Sequence, residues 1–165
     1  MRIRALVIAS VMTLATFVPV GPASAAAGPQ SIVGSFRGAG SLVHDGSCAV
    51  ILNPNGGHYH STHLGRGSYS LNLCVTSTAP HLHVTGAFEL VTLGDGHVHA
   101  TVDTDLDNGL TGVPATINGG TKRFTNATGT LTIDVAMFDQ TNCDPRIGIC
   151  LNWKERGNFT GTIQR

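Results

Sequence analysis

The sequence predicts an all-β domain, an antiparallel up-and-down β-barrel of about eight strands. Apolar and polar residues alternate with a period of two in several stretches, as from Leu131 to Val135, which is typical of strands with one buried face. The 21 glycines punctuate these stretches, and no segment beyond residue 25 sustains the helical period of 3.6. A β-sandwich stays open as the alternative, because strand patterns do not distinguish two packed sheets from one closed sheet.

The N-terminus predicts a leader for export. A basic start with Arg2 and Arg4 precedes an apolar run from Ala5 to Val20, and Ala23-Ser24-Ala25 is an A-x-A cleavage pattern. The apolar run is shorter than the roughly 20 residues that a membrane-spanning helix needs. We therefore expect a signal peptide over residues 1–25, a single domain over residues 26–165, and a secreted, extracellular protein without membrane contact after cleavage.

Charge argues against two classes of partner. Without Arg2 and Arg4, the chain keeps 8 of its 10 Lys and Arg residues against 10 Asp and Glu residues. This near-neutral, slightly acidic balance does not favour nucleic acid or an anionic membrane as a partner.

Four cysteines, an even number in a small exported chain, predict two disulfides. Cys143 and Cys150 bracket a short loop, which favours the pair Cys143–Cys150 and leaves the pair Cys48–Cys74 to join two early strands. A zinc site is the alternative, but the spacing lacks the C-x₂-C pairs that structural zinc sites prefer.

Residues 119–131 read G-G-T-K-R-F-T-N-A-T-G-T-L. This segment resembles the G-G-T-G-R-F-x-G-A-T-G-x-L pattern of the allene oxide cyclase-like and dirigent-like β-barrel superfamily, which includes small secreted actinobacterial proteins. Lys122 and Asn126 stand where that pattern has glycine. The resemblance implies a barrel, and it implies an isomerase, a cyclase or a protein that steers radical coupling. It transfers no catalytic residue of the plant cyclase to this chain.

The same segment makes local predictions. We expect Gly119-Gly120 to form a tight turn, Phe124 to be an aromatic anchor after it, and Gly129 to interrupt the chain again. The run Asn53-Pro54-Asn55-Gly56-Gly57 predicts another turn.

Histidine is the unusual residue type, and six of the eight form three H-x-H pairs. Residues i and i+2 of a strand share a face, so each pair presents two imidazoles together, a ligand that suits zinc or copper. The candidate metal ligands are His58, His60, His63, His81, His83, His97 and His99. A hairpin around Gly94-Asp95-Gly96 would place the last two pairs at opposite ends, whereas the first pair could join either. The alternative is that these histidines form the polar, solvent-facing set of each strand.

Other chemistry has weaker support in the sequence. Glu89 and Asp103 could approach each other across the same hairpin as a carboxylate pair. Asp103, Asp105 and Asp107 resemble an oxygen-rich calcium loop but lack its glycine and glutamate positions, so a solvated strand face explains them better.

The sequence therefore leaves four functions open. The first is a barrel that binds a small apolar or aromatic molecule inside, without a cofactor. The second is a cyclase-like or dirigent-like activity, the third is extracellular metal binding, and the fourth is a structural or surface-interaction module. Whether the interior is empty or packed, and which histidines face it, separates these functions.

Overall fold

The computed structural model describes residues 28–45, 48–78, 81–106, 109–144 and 149–165. The predicted signal peptide over residues 1–25 lies outside this part of the chain. Eight antiparallel strands close into one barrel in up-and-down order. They are β1 (Gln30–Asp45), β2 (Cys48–Ser61), β3 (Gly65–Thr78), β4 (His81–Thr92), β5 (Gly96–Leu106), β6 (Val113–Gly120), β7 (Thr128–Asp144) and β8 (Ile149–Gln164). The predicted barrel is confirmed, and the β-sandwich alternative is wrong.

Closure depends on the ladder between the first and last strands. Each strand pairs with the next one along the chain, and β8 pairs back onto β1 from Gln30↔Ile163 to Ser41↔Asn152. Aromatic rings lie opposite glycines along this ladder, with Phe159 facing Gly34 and Phe36 facing Gly157. A Cβ at either glycine would collide with the ring of its partner. These glycines therefore make room for aromatic rings to lie flat across the barrel wall.

The inward side chains pack into one apolar core. Phe88 is fully buried, and its ring centroid lies 6.0 Å from that of Phe36, 6.1 Å from that of Tyr69 and 6.2 Å from that of Phe159. Aliphatic side chains of the inward sets of β3 to β7 surround these rings, including Leu73, Val84, Leu90, Val98, Ile117, Leu131 and Ile133. Aromatic and aliphatic groups therefore occupy the barrel interior at this level.

One end of the barrel is covered by the segment between β6 and β7. This segment contains a short 3-10 helix (Lys122–Phe124), and Phe124 is fully buried. The guanidinium groups of Arg123 and Arg165 lie 4.7 Å and 5.6 Å from the Phe124 ring centroid. Phe124 is thus an aromatic anchor, as expected from the sequence.

The glycines near Phe124 have different roles from those predicted. Gly119 and Gly120 are the last residues of β6, opposite His99 and Val98, and the chain reverses after them. Gly129 lies inside β7, opposite Ile117 and Ile163, and does not interrupt the strand. Gly119 and Gly129 have φ values of +134° and +149°, which favour glycine. The predicted tight turn and chain break are therefore wrong, and these glycines permit irregular strand backbone.

The predicted turn at residues 53–57 is also wrong. These residues lie within β2, and the β2–β3 register shifts between Leu52 and Gly57. Glycine and proline here accompany an irregularity inside a long strand instead of a chain reversal.

Both predicted disulfides are confirmed. Cys48 and Cys74 join β2 to β3 with a Cα–Cα distance of 5.5 Å, and Cys143 and Cys150 join β7 to β8 at 3.7 Å. Among the described residues, no helix is long and apolar enough to cross a lipid bilayer.

Candidate functional site

The described histidine side chains lie on the outside of the barrel. His58, His60 and His63 are exposed, and His83, His97 and His99 are half-buried. They alternate with inward residues such as Tyr59, Val84 and Val98. This placement agrees with the alternative prediction that the histidines belong to the polar set of each strand. His81 begins β4, but its side chain lies outside the described part of the structure.

The strand register separates the H-x-H pairs from one another. His97 is opposite Val91 and His83 is opposite Asp105, so the β4 and β5 pairs lie at opposite ends of their hairpin, as expected. His58 is two strands away from Val91, because Ser68 of β3 pairs with both. Within the described residues, no group of three or more His, Cys, Asp or Glu side chains converges as a metal site. Zinc or copper binding stays a prediction that rests on the H-x-H spacing alone.

Two of these histidines contact carboxylates. His83 lies between two aspartates, with its Nε2 3.2 Å from Asp103 and its Nδ1 2.8 Å from Asp105. His99 Nδ1 lies 3.1 Å from Glu89 Oε1 across the β4–β5 ladder. The Glu89–Asp103 pair that the sequence allows does not form, because the register places Asp103 opposite Thr85, four residues from Glu89 along β4. Each carboxylate thus has a histidine neighbour on an exposed sheet face.

A groove of about 830 Å³ crosses the outer wall of the barrel. We call it the outer groove. It spans the neighbouring strands β7, β8, β1, β2 and β3. Its lining consists of Ser35, Phe36, Arg37, His58, Tyr59, His60, Arg66, Thr111, Asp134, Val135, Ala136, Arg156, Gly157 and Asn158.

Five basic side chains follow one another across this groove. Arg156 of β8 is opposite Arg37 of β1, and Arg37 is in turn opposite His58 of β2. His60, one outward position along β2, is opposite Arg66 of β3. All five side chains are exposed. We call this set the basic stripe.

The arginines of the basic stripe form no ion pair with any carboxylate among the described residues. Like charges directly opposite on a sheet face destabilise the fold by a few tenths of a kcal/mol to about 1 kcal/mol. The Arg37–Arg156 pair therefore carries an energetic cost that nothing in the described structure offsets by charge pairing. The Arg156 guanidinium lies 5.7 Å from the ring centroid of Phe138, which helps to position it.

The rim opposite Arg66 is formed by the loop between β5 and β6. Val135 N donates to Leu110 O at 2.8 Å, and Gly112 N donates to Asp134 Oδ1 at 2.7 Å. These bonds hold Thr111 against the end of the groove. The outer groove thus has a basic side and a rim that contains one acidic side chain, Asp134.

A second polar cluster lies inside the barrel. Glu155 is only 2% exposed, and its two carboxylate oxygens accept hydrogen bonds from the Tyr69 hydroxyl (2.5 Å) and from Trp153 Nε1–H (3.0 Å). Burial raises the pKa of the Tyr69 phenol well above its usual range, and the adjacent Glu155 raises it further. The phenol therefore remains a hydrogen-bond donor to Glu155 across the physiological pH range.

Removing the Tyr69 hydroxyl is expected to destabilise the barrel. In Tyr69→Phe, Oε1 of the buried Glu155 loses its donor, and a hydrogen bond to a carboxylate contributes about 1.5–3 kcal/mol. Chemical denaturation should show this loss in the free energy of unfolding. Tyr59→Phe is the matched control, since the Tyr59 hydroxyl bonds a neutral partner, Thr92 Oγ1, at 2.8 Å, and should cost about 0.5–1.5 kcal/mol. Equal losses in the two variants would contradict the claim that the bond from Tyr69 to the buried Glu155 carboxylate stabilises the barrel more than a neutral hydrogen bond does.

The sequence contained a signal for the buried cluster but not for the groove. Trp153, Glu155, Gly157 and Phe159 share one phase of β8, so a carboxylate stands within an otherwise apolar or glycine set. A charged residue at an inward position of a strand indicates a buried polar contact, and here that residue is Glu155. Arg37 and Arg156 become neighbours only when β8 pairs with β1, and no local pattern predicts that contact.

Comparison with known proteins assigns no family to the chain. No family model matches the chain, and no curated protein matches it in sequence. The fold defines the protein as a closed, eight-stranded up-and-down β-barrel with two disulfides. Its candidate site is a basic groove on the outer wall.

Proposed function

We propose that the chain is an exported binding protein that holds an anionic ligand in the outer groove of its barrel. The observation that carries this proposal is the juxtaposition of Arg37 and Arg156, which lie directly opposite each other without a described carboxylate partner. Arginine presents a planar set of donors that binds carboxylate, phosphate and sulfate groups in a bidentate manner. An anion between the two guanidinium groups would relieve their repulsion.

Export is the setting in which we propose this function. The leader-like N-terminus supports it, and so do the two disulfides, because disulfides persist mainly in oxidising compartments. Membership of the allene oxide cyclase-like and dirigent-like superfamily also stays a proposal, which rests on the motif at residues 119–131.

Neutralising the two arginines tests the function. The variant Arg37→Gln/Arg156→Gln should bind dextran sulfate and inorganic pyrophosphate at least about tenfold more weakly, since a tenfold change corresponds to 1.4 kcal/mol. Two charge-assisted hydrogen bonds at an exposed surface contribute on that order. Titration calorimetry would measure the dissociation constants for both anions.

The control removes the same charge elsewhere. Lys122→Gln/Arg165→Gln changes two exposed cations that do not line the groove, and it should keep the original affinity. The groove variant should also unfold at the same temperature or slightly higher, because a like-charge pair is lost. Equal weakening in both double variants would mean that net charge, and not the groove, determines binding, and the proposed function would be wrong.

A ligand inside the barrel is the second candidate, as the superfamily resemblance implies. The observation that favours it is Glu155, the one charged residue that is buried among those described. A carboxylate beside a phenol has the groups for acid–base chemistry or for anchoring a polar ligand atom. The aromatic rings that fill the neighbouring interior would have to move to admit a ligand.

A further inference from the structure

From the layout of the basic stripe we infer that the natural ligand is a chain-like acidic polysaccharide, with a carboxylate or sulfate group on successive sugars. This inference rests on the proposed anion-binding function of the outer groove. It goes further by specifying the length and chemistry of the ligand.

The distance between the two ends of the basic stripe sets the length of ligand that can contact all of it. Arg156 on β8 and Arg66 on β3 are separated by three inter-strand steps and by a two-residue offset along β2, which together correspond to about 16 Å. A small anion such as pyrophosphate can bridge Arg37 and Arg156, but it cannot reach Arg66 at the same time. A ligand with several anionic groups along a chain can contact the whole stripe.

The remaining lining favours sugars over nucleic acid. Sequence-tolerant binding of single strands uses exposed aromatic rings on which bases stack. The two aromatic residues of the lining, Phe36 and Tyr59, are 4% and 3% exposed and turn their rings into the barrel. Beside the basic groups the lining presents the hydroxyl and amide groups of Ser35, Thr111 and Asn158, which suit the hydroxyl groups of a polysaccharide.

A length series of an acidic oligosaccharide tests the inference on the full folded chain. We expect the affinity for oligogalacturonate to rise from the monomer through the tetramer and to level off once the chain spans the stripe. The three arginines of the stripe predict a slope of log K against log salt of roughly −2. In Arg37→Gln/Arg156→Gln the slope should fall to roughly −0.7.

Three comparison ligands separate the outcomes. The methyl-esterified oligomer of equal length should bind at least tenfold more weakly, because it lacks the charges. If pyrophosphate binds as tightly as the longest oligomer, the polysaccharide inference is overturned and the anion-binding function stands. If a thymidine oligonucleotide of equal charge binds more tightly than the oligosaccharide, the occupant is nucleic acid and the inference is again overturned. If no anion binds, the proposed function itself fails.

Discussion

Replacing Phe88 with alanine is expected to lower the free energy of unfolding by about 3–5 kcal/mol. Phe88 is fully buried, and its ring contacts Phe36, Tyr69 and Phe159 at centroid distances of 6.0–6.2 Å. The truncation therefore removes apolar burial and also leaves a cavity that rigid strands on all sides cannot fill. Urea denaturation with the disulfides intact measures the loss.

Leu93→Ala is the control for this prediction. Leu93 is also a large apolar residue, but it is 79% exposed, and its truncation should change the free energy of unfolding by less than about 0.5 kcal/mol. A loss below about 1 kcal/mol in Phe88→Ala would contradict a packed interior. It would favour the second candidate function, because a barrel with space for a ligand loses little when one ring is removed.

The fold could be predicted because its signals are local and repeat along the chain. Outward polar residues alternate with inward apolar ones on most strands, as with His58, Tyr59 and His60, and this alternation states directly which residues are buried. Cys143 and Cys150 are close in sequence, so their pairing needed no knowledge of the topology. Cys48–Cys74 then followed as the remaining pair.

The local predictions that are wrong all depend on glycine. Glycine both ends strands and permits close approach inside them, and a local pattern does not distinguish these roles. Gly94 lies in a hairpin turn and Gly96 follows it, whereas Gly129 lies within β7, where a Cβ would collide with the Thr162 carbonyl. The difference arises from a partner strand that is distant in sequence.

The candidate site was missed for a related reason. The H-x-H pairs can be recognised in the sequence because their residues lie two apart on one strand. The outer groove instead combines residues from five strands, and its central contact joins Arg37 to Arg156 across the closing ladder. The sequence predicts His58 and His60 as metal ligands beside His63, whereas the structure places them in a stripe with three arginines. Residues that become neighbours only when β8 pairs with β1 can be found only from the register of these two strands.

The two disulfides should contribute unequally to stability, and the longer loop should matter more. Cys48–Cys74 spans 26 residues and Cys143–Cys150 spans 7. In the chain-entropy description, cross-links of these lengths stabilise the fold by about 3.5 and about 2.4 kcal/mol, because the longer one removes more freedom from the unfolded chain. Urea denaturation of Cys48→Ser/Cys74→Ser and of Cys143→Ser/Cys150→Ser measures the two losses.

Each double variant serves as the control for the other, since both replace two cysteines with serine and retain one native disulfide. The difference of about 1 kcal/mol is large enough to resolve in matched denaturation curves. Loss of Cys48–Cys74 should also leave anion binding intact if the variant remains folded, because neither cysteine lines the outer groove. A larger loss in Cys143→Ser/Cys150→Ser would show that the β7–β8 hairpin depends on its cross-link for packing as well as for entropy. The stability of the barrel would then depend more on β7 and β8, the pair of strands that includes Arg156, than on β2 and β3.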